Sequence, residues 1–443
     1  MPLPVAPLRH QYDAEILRLA VPALGALVAE PLFLLADSAI VGHLGTPELA
    51  GLGVAATILG TSLTLCLFLA YGTTAAVARM LGAGDQAGAL RRGIDGLWLA
   101  VILGLVLAIA GVATSHTLVS WFQVSAEASG HAQTYLRISM AGLPSMLVVL
   151  ASTGVLRGLQ DTRTPLIVAV WANAANVGLN LVLVYGADMG IAGSALGTVL
   201  AQTAAAFAYL RVVVLGARRA GIKLLPDWQG VRQSFAASAP LVLRNLAIRA
   251  VVAIATVIAA RLGSAEVAAH QVAFNVWITL ALALDAVAIA GQALVGRYLG
   301  AGDVVSARAA TRRMVELSVM VGFVLGLALL ASRTLIAPLF SQDPEVREFL
   351  ASALLVAALI QPLAGWVFAL DGVLMGAGDV KYIALAQAAT VAVFAPLAWA
   401  VVELDLGLSG LWWAIAAWVV ARLLAMAWRE RGDAWAVTGA TRG

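Results

Sequence analysis

The chain repeats itself at a fixed spacing of 218 residues. The turn Leu81-Gly-Ala-Gly-Asp85 returns as Leu299-Gly-Ala-Gly-Asp303, and other short matches keep the same spacing. The spacing shortens by one residue only near the C-terminal end, where Gly407-Leu-Ser-Gly410 matches Gly190-Ile-Ala-Gly193. A repeat this long in an apolar chain is typical of transporters built from two halves.

Composition places the chain in a lipid bilayer. Of its 443 residues, 62% are hydrophobic and 12% are charged, whereas soluble domains carry about 25% charged residues. The single cysteine, Cys66, lies in an apolar run and excludes a disulfide framework or a cysteine-based metal site. The sequence has no basic run that would form a nucleic-acid-binding face, so we expect no nucleic-acid partner.

Twelve apolar segments are long enough to cross a bilayer, which takes about 20 residues in a helix. Six spans per repeat bring the chain back to its starting side, so the two halves are predicted to be parallel. We expect an N-lobe over 1–215, a cytoplasmic linker over 216–232 and a C-lobe over 233–443 with a short cytoplasmic tail. The predicted spans are 16–40, 52–80, 93–114, 131–156, 165–186, 190–215, 233–260, 267–296, 311–332, 347–375, 381–402 and 408–428.

The distribution of basic residues predicts the orientation of these spans. Most of the 27 lysines and arginines fall on one side when both termini are cytoplasmic, with Arg422 counted as part of the C-terminal tail. Because cytoplasmic loops are enriched in lysine and arginine, we expect a multi-pass protein with both termini in the cytoplasm.

Four of the polar residues inside the predicted spans of the first half are candidates for a site, because polar groups are costly in a membrane. Asp37 lies near the outer end of the first span and has no basic residue three or four positions away. Asn176 and Asn180 share one face of the fifth span, and Thr198 of the sixth span can approach that face. Alternatives are a hydrated aspartate at a helix end and interhelical hydrogen bonds without a site. The presence of all four in one half favours a site for a proton or a sodium ion.

The second half has gained charged residues that the first half lacks. Arg244 and Arg249 lie in the seventh span, and Glu30 of the first span falls one residue from the repeat counterpart of Arg249. An ion pair between Glu30 and Arg249 would be either a gate or structural. Asp285 and Asp371 are deep carboxylates that can neutralise these arginines. All five are substrate or gating candidates, although charge pairing within the second half is the better interpretation for Asp285.

Neither the two Gly-Ala-Gly-Asp turns nor the histidines, which are scattered along the chain, indicate an enzyme. The two Gly-Ala-Gly-Asp turns lack the Gly-Lys-Ser/Thr end of a nucleotide-binding loop, so they are predicted to be helix C-caps. With no ATP-binding module and no cofactor motif, transport has to be driven by an ion gradient or a partner. Pro22 and Pro240 recur at the repeat spacing and suggest a shared bend.

The order and spacing of the motifs in this chain resemble those of the multidrug and toxic compound extrusion (MATE) family, and within that family those of the DinF-like branch. The resemblance covers nearly the whole chain. The motifs that carry it, besides the paired turns, are Asp37-Ser-Ala-Ile-Val-Gly-His-Leu-Gly45, Leu156-Arg-Gly-Leu-Gln-Asp-Thr162, Asn176-Val-Gly-Leu-Asn180, Gly190-Ile-Ala-Gly-Ser-Ala195 and Leu370-Asp-Gly-Val-Leu-Met-Gly-Ala-Gly-Asp379.

The resemblance implies an all-α integral membrane protein whose two six-helix lobes form a V. It implies cation-coupled antiport of amphipathic, often cationic, compounds out of the cell across the inner (plasma) membrane. The family's central proton or sodium site falls on Asp37, and its further polar residues fall on Asn176 and Thr198. A second acidic residue of archaeal relatives falls on Asn180, so this chain departs from a two-carboxylate relay.

Proton coupling is the preferred interpretation. Sodium-linked NorM-type relatives use a glutamate in the seventh span, where this chain has Arg244 and Arg249. Sodium-coupled drug efflux and a flippase for a lipid-linked precursor remain the alternatives. The two arginines are compatible with a flippase, whereas Asp37, Asp285 and Asp371 argue against it. The expected partners are small amphipathic substrates and the lipid bilayer, with no obligate protein partner.

Overall fold

A computed structural model of the chain describes residues 5–442, with side chains described from Tyr12 onward. Over this range the chain forms fifteen α-helices and one π-helical segment, and no strand. The helices are α1 Val5–Gly42, α2 Thr46–Cys66, α3 Phe68–Gly82, α4 Gln86–Ser120, α5 Ala126–Ala141, α6 Leu143–Gly158, α7 Arg163–Asn180, α8 Gly190–Arg219, α9 Trp228–Ser238, α10 Pro240–Leu262, α11 Ser264–Gly300, α12 Val304–Phe340, α13 Pro344–Gly376, α14 Val380–Glu403 and α15 Gly407–Arg431, with the π segment at Leu181–Gly186.

The predicted fold class is confirmed. Eleven helical segments among the described residues are long and apolar enough to span a membrane, and the bent pair α5–α6 makes up to twelve. Each of the twelve predicted spans lies within one of these segments. Helices suit such apolar runs because lipid offers no hydrogen-bond partners to the backbone, and a helix satisfies its own.

The two repeated turns end one helix and begin the next, which confirms their prediction as C-caps. Gly84 and Gly302 adopt φ values of 78° and 77°, a region that glycine enters without strain. The aspartates that follow them accept a hydrogen bond from a backbone N–H of the next helix, Asp85 from Gly88 and Asp303 from Ser306. Each turn therefore caps both of its neighbours.

Prolines at matching positions have different outcomes in the two repeats. Pro144 begins α6 after a 51° bend between α5 and α6, whereas its counterpart Pro362 lies inside the uninterrupted α13. Pro240 follows a one-residue interruption between α9 and α10, whereas Pro22 lies inside the uninterrupted α1. The helix is therefore interrupted beside Pro240 and not beside Pro22, and the shared bend at these two prolines stays a prediction.

The described helices form two compact units. The first unit is Gly25–Ser238, and the second unit joins the chain up to Leu24 with everything from Ala239 onward. The chain thus passes from one unit to the other inside α1, and returns at the interruption between α9 and α10.

The start of α1 is held within the second unit by charged contacts. Arg313 binds Asp13 with Nη2–Oδ2 at 2.8 Å, and Glu15 accepts from Arg297 at 2.9 Å and from Tyr298 at 2.6 Å. Buried α1 side chains, including Ile16, complete this attachment.

The chain around α9 is held within the first unit in a comparable way. Arg92 of α4 donates to Gln233 at 2.7 Å, and the Trp98 indole donates to the Leu224 carbonyl at 2.9 Å. Phe68 meets Phe235 edge-on, with ring centroids 6.2 Å apart. Each repeat therefore begins with a segment that packs in the other unit.

Candidate functional site

Asp37 lies on the last part of α1, inside the first unit, and only 3% of its surface is exposed. Three side chains from three other helices donate hydrogen bonds to its carboxylate. Asn180 donates to Oδ1 at 2.8 Å, Ser194 donates to Oδ1 at 2.5 Å, and Tyr135 donates to Oδ2 at 3.2 Å. The predicted alternative of an aspartate hydrated at a helix end is wrong, because the carboxylate is enclosed by α5, α7 and α8.

A chain of amides continues from this carboxylate. The Asn180 amide also donates to Asn176 Oδ1 at 3.0 Å, and Asn176 in turn donates to Thr198 Oγ1 at 3.1 Å. These three side chains are at most 6% exposed. The structure thus brings together all four polar residues that the sequence selected in the first half.

The backbone around Asn180 makes room for this arrangement. The α-helix α7 ends at Asn180 and continues as the π segment, a rare form of helix that is frequent at functional sites. Gly197 faces Asn180 on α8, and a Cβ at this glycine would lie 2.1 Å from Asn180 Oδ1. Gly193 likewise lies against the π segment, where a Cβ would meet the Leu183 backbone at 2.8 Å. Glycine at both positions lets α8 approach closely enough for Ser194 and Thr198 to reach the site.

No basic side chain pairs with Asp37 among the residues that the structure describes. The carboxylate is instead stabilised by neutral donors, each of which can change partner when the carboxylate gains a proton. A buried carboxylate without a fixed cation costs free energy in its charged form. Such a group is suited to bind and release a cation.

A second polar cluster lies inside the second unit. Asp371 Oδ2 accepts from Arg244 Nη2 at 2.6 Å and from Arg422 Nη2 at 3.1 Å, and all three side chains are buried. We name Arg244, Asp371 and Arg422 the arginine–aspartate cluster. The assignment of Arg422 to a cytoplasmic tail is wrong, because α15 carries this residue into the interior and stacks it on Trp418 at 4.8 Å.

The other charged candidates occupy different environments. Arg249 and Glu30 are exposed at the surfaces of their own units, and Asp285 is half-buried on α11. The Glu30–Arg249 ion pair would join the two units and stays a prediction. Asp371 binds Arg244, and charge pairing of Asp285 within the second half stays a prediction.

The sequence did not predict that Tyr135 and Ser194 bind Asp37, or that Arg422 is buried. Ser194 had a signal, since it stands four residues before Thr198 on one face of α8 and belongs to a motif already noted. Tyr135 had none, because a tyrosine in a membrane helix is more often an interfacial anchor.

Comparison with known proteins yields one family. The family model described as MatE matches residues 22–182 and again residues 240–400. The two matches start and end 218 residues apart, at the spacing of the internal repeat.

The chain is similar over most of its length to proteins from distant organisms. It is 31% identical over 432 residues to Protein DETOXIFICATION 44, chloroplastic, of Arabidopsis thaliana, which covers 94% of this chain and 81% of that protein. It is 30% identical over 437 residues to DNA damage-inducible protein F of Escherichia coli (strain K12), which covers 96% of this chain and 94% of that protein.

The fold also matches that of solved structures. A crystal structure described as MATE in the bent conformation superposes with a TM-score of 0.89 at 23% identity, covering 97% of both chains. At this identity the match concerns the fold alone.

Proposed function

The chain belongs to the MatE family of multidrug efflux transporters, and we propose that it is an antiporter that exchanges protons for amphipathic, often cationic, drugs or toxic metabolites. Family membership makes it a multi-pass membrane transporter and not an enzyme, driven by an ion gradient. The proton as coupling ion and the substrate class are the parts that we propose.

One observation carries the proposal. Asp37 is buried, has no cationic partner among the described residues, and is surrounded by hydrogen-bond donors. A sodium ion needs several oxygen atoms that turn their lone pairs toward it. Here Asn180, Ser194 and Tyr135 turn N–H or O–H groups toward the carboxylate, so the arrangement favours a proton.

Protonation changes what the carboxylate can accept. Charged Asp37 accepts three hydrogen bonds, whereas its protonated form is itself a donor and needs an acceptor. Asn180 Oδ1 is buried and has no donor among the described residues, so a flip of this amide would offer that acceptor. The flip would also break the bond to Asn176, and the change would pass along the amides toward Thr198.

We propose that this rearrangement couples the two ligands. Protons bind Asp37 in the outward-facing state, the end of α1 repacks against α7 and α8, and the affinity for the exported compound falls. After release, the transporter turns inward, loses the proton and binds the next substrate. Coupling requires that each ligand binds the two states with different affinity.

The test is transport of a fluorescent cationic dye in proteoliposomes under an imposed proton gradient. Wild type is compared with Asp37→Asn and with Asp343→Asn, the same change at an exposed helix cap. We expect gradient-driven transport in wild type and Asp343→Asn, and a loss of at least 10-fold in Asp37→Asn. Persistent proton-driven transport in Asp37→Asn would contradict the assignment, a requirement for sodium would make Asp37 a sodium ligand, and no dye movement in any protein would favour the flippase.

We also propose that both termini are cytoplasmic, because the basic turns lie on their side. A C-terminal reporter that is active only in the cytoplasm tests this orientation, and inactivity of the fusion in intact cells would contradict it.

A further inference from the structure

The linker over 216–232 carries a positive charge that the rest of the described chain does not balance. Four of its side chains are basic, and one, that of Asp227, is acidic, which gives a net charge of +3. The four basic side chains are exposed, and none forms an ion pair with the described part of the chain. These residues are Arg218, Arg219, Lys223 and Arg232.

Two large apolar side chains are exposed among these charges. Leu225 is 74% exposed and Trp228 is 67% exposed. In a loop that faces only water, both side chains would keep apolar surface hydrated at a cost in free energy. Apolar and basic side chains together on one short segment are typical of elements that lie at a membrane surface.

The linker backbone is fixed to α4 where these side chains emerge. Arg91 donates to the carbonyl groups of Lys223 and Leu225, at 2.7 Å and 3.0 Å. The Trp98 indole donates to the Leu224 carbonyl at 2.9 Å. Two side chains of α4 thus bind three consecutive carbonyl groups, so the linker cannot leave α4 without breaking these hydrogen bonds.

The register of α4 places this attachment at the edge of the bilayer. Every residue from 96 to 113 is apolar, a run close to the roughly 20 residues that cross the hydrocarbon core. Trp98 is the third residue of this run, and the charged residues Arg91, Arg92 and Asp95 precede it. Tryptophan is enriched at such boundaries between lipid and water. The Leu224 carbonyl, which binds Trp98, therefore lies at the level of the lipid headgroups.

We propose that the linker is a binding surface for anionic phospholipids. Leu225 and Trp228 insert among the acyl chains beside α4, and the four basic side chains bind the headgroup phosphates. Basic segments next to a spanning helix are attracted to anionic lipid in this way. A zwitterionic headgroup leaves the net charge of the linker unbalanced, so the surface is specific for anionic lipid. Bound lipid would hold the chain directly before α9, the last helix of the first unit.

The test follows binding and not transport, so its outcome is separate from that of the proton-coupling proposal. Wild type is placed in nanodiscs of phosphatidylcholine alone and in nanodiscs of an equimolar mixture of phosphatidylcholine and phosphatidylglycerol. Amide hydrogen exchange of the linker is measured in both. We expect exchange over residues 222–229 to be about 10-fold slower in the anionic nanodiscs, because bound lipid shields these amides from water.

A charge variant and a matched control make the result specific. Arg218→Gln, Arg219→Gln and Lys223→Gln together remove three linker charges, and we expect this variant to exchange equally in the two nanodiscs. The control should keep the wild-type difference. It makes the same change at three exposed basic residues that lie outside the linker and have no ion pair among the described residues, Arg163→Gln, Lys381→Gln and Arg431→Gln.

Insertion of the apolar side chains is measured by fluorescence quenching. Brominated phosphatidylcholine replaces the ordinary lipid in the anionic nanodiscs, and bromine quenches tryptophans that contact the acyl chains. Trp228→Phe keeps an aromatic side chain and identifies the contribution of Trp228 among the twelve tryptophans of the chain. We expect this contribution to be quenched.

Three results would overturn the proposal. The first is equal exchange of the wild-type linker in the two nanodiscs, and the second is a difference that survives in the charge variant. The third is a Trp228 signal that brominated lipid leaves unquenched. Inorganic phosphate is also added to the phosphatidylcholine nanodiscs, and an equal slowing of exchange there would assign a free anion in place of the lipid.

Discussion

The two repeats share a scaffold but hold different polar clusters. The residues around Asp37 are all replaced by buried apolar residues at the matching positions of the second repeat, and the arginine–aspartate cluster is likewise absent from the first. The counterparts are Ala255 for Asp37, Ala353 for Tyr135, Phe394 for Asn176, Ala398 for Asn180, Ile415 for Thr198, Ala26 for Arg244, Thr153 for Asp371 and Ala205 for Arg422. The ends of the membrane-spanning segments match between the two repeats, whereas the buried polar residues do not.

The helical backbones of the two repeats also differ. The first repeat is interrupted at Leu67, bends at Gly142 and contains the π segment, whereas α11 and α13 run without interruption through the positions that match Leu67 and Gly142. Helix irregularities mark places where little free energy is needed to change the local path. Together with the proposed role of Asp37, these differences favour a first unit that rearranges around Asp37 and a second unit that holds a fixed charge cluster.

The largest expected effect comes from removing the acid of the fixed cluster. Asp371→Leu leaves two buried guanidinium groups without their carboxylate, and we expect a loss of about 3–5 kcal/mol in stability. Asp37→Asn keeps an oxygen for the neighbouring donors, so we expect a change of about 1 kcal/mol or less. Thermal unfolding in detergent measures both. Equal unfolding midpoints for the two variants would contradict the distinction between a cluster that stabilises the fold and a cluster that binds the coupling ion.

A smaller effect, on transport, is expected from filling the space beside Asn180. Gly197→Ala places a Cβ 2.1 Å from Asn180 Oδ1, so Asn180 must leave Asp37, and we expect proton-driven transport to fall about 10-fold, or about 1.4 kcal/mol in the barrier. The second repeat already has Ala414 at the position that matches Gly197, and Ala398 at the position that matches Asn180. Gly178→Ala is the control, because a Cβ at Gly178 meets nothing within 4 Å. Transport at the wild-type rate in Gly197→Ala would show that the Asn180 contact is dispensable.

The smallest effect on stability is expected at the helix caps that the two repeats share. Asp303→Ala removes the cap of α12, which costs about 1 kcal/mol, and Asp85→Ala should cost the same at the start of α4. Hydrogen bonds from the Ser306 side chain and backbone lower the pKa of Asp303. Its contribution is therefore complete above its unfolded pKa of about 3.9 and is lost as the pH falls below that value. Thermal unfolding of wild type and Asp303→Ala across pH 3–7 should converge at the acid end, and a constant difference would contradict this account.

The sequence predicts the spans well because a bilayer imposes their length and apolarity on every helix. It also selects Asp37, Asn176, Asn180 and Thr198, since a polar residue in an apolar helix stands out and a spacing of four indicates a shared face. It does not predict which helices meet. Asp371 binds partners 127 and 51 residues away, and neither the repeat nor helical periodicity encodes that packing.

The passage of α1 from one unit to the other has a consequence for biosynthesis. Residues 12–24 are synthesised long before their binding partners Arg297, Tyr298 and Arg313, which lie almost 300 residues later in the chain. The first unit is likewise incomplete until α9 has been made, after all six spans of its own repeat. We therefore expect that neither repeat matures alone in the membrane. A chain truncated after its first half should expose the unfilled surface for α9 and the unpacked start of α1 to quality-control proteases.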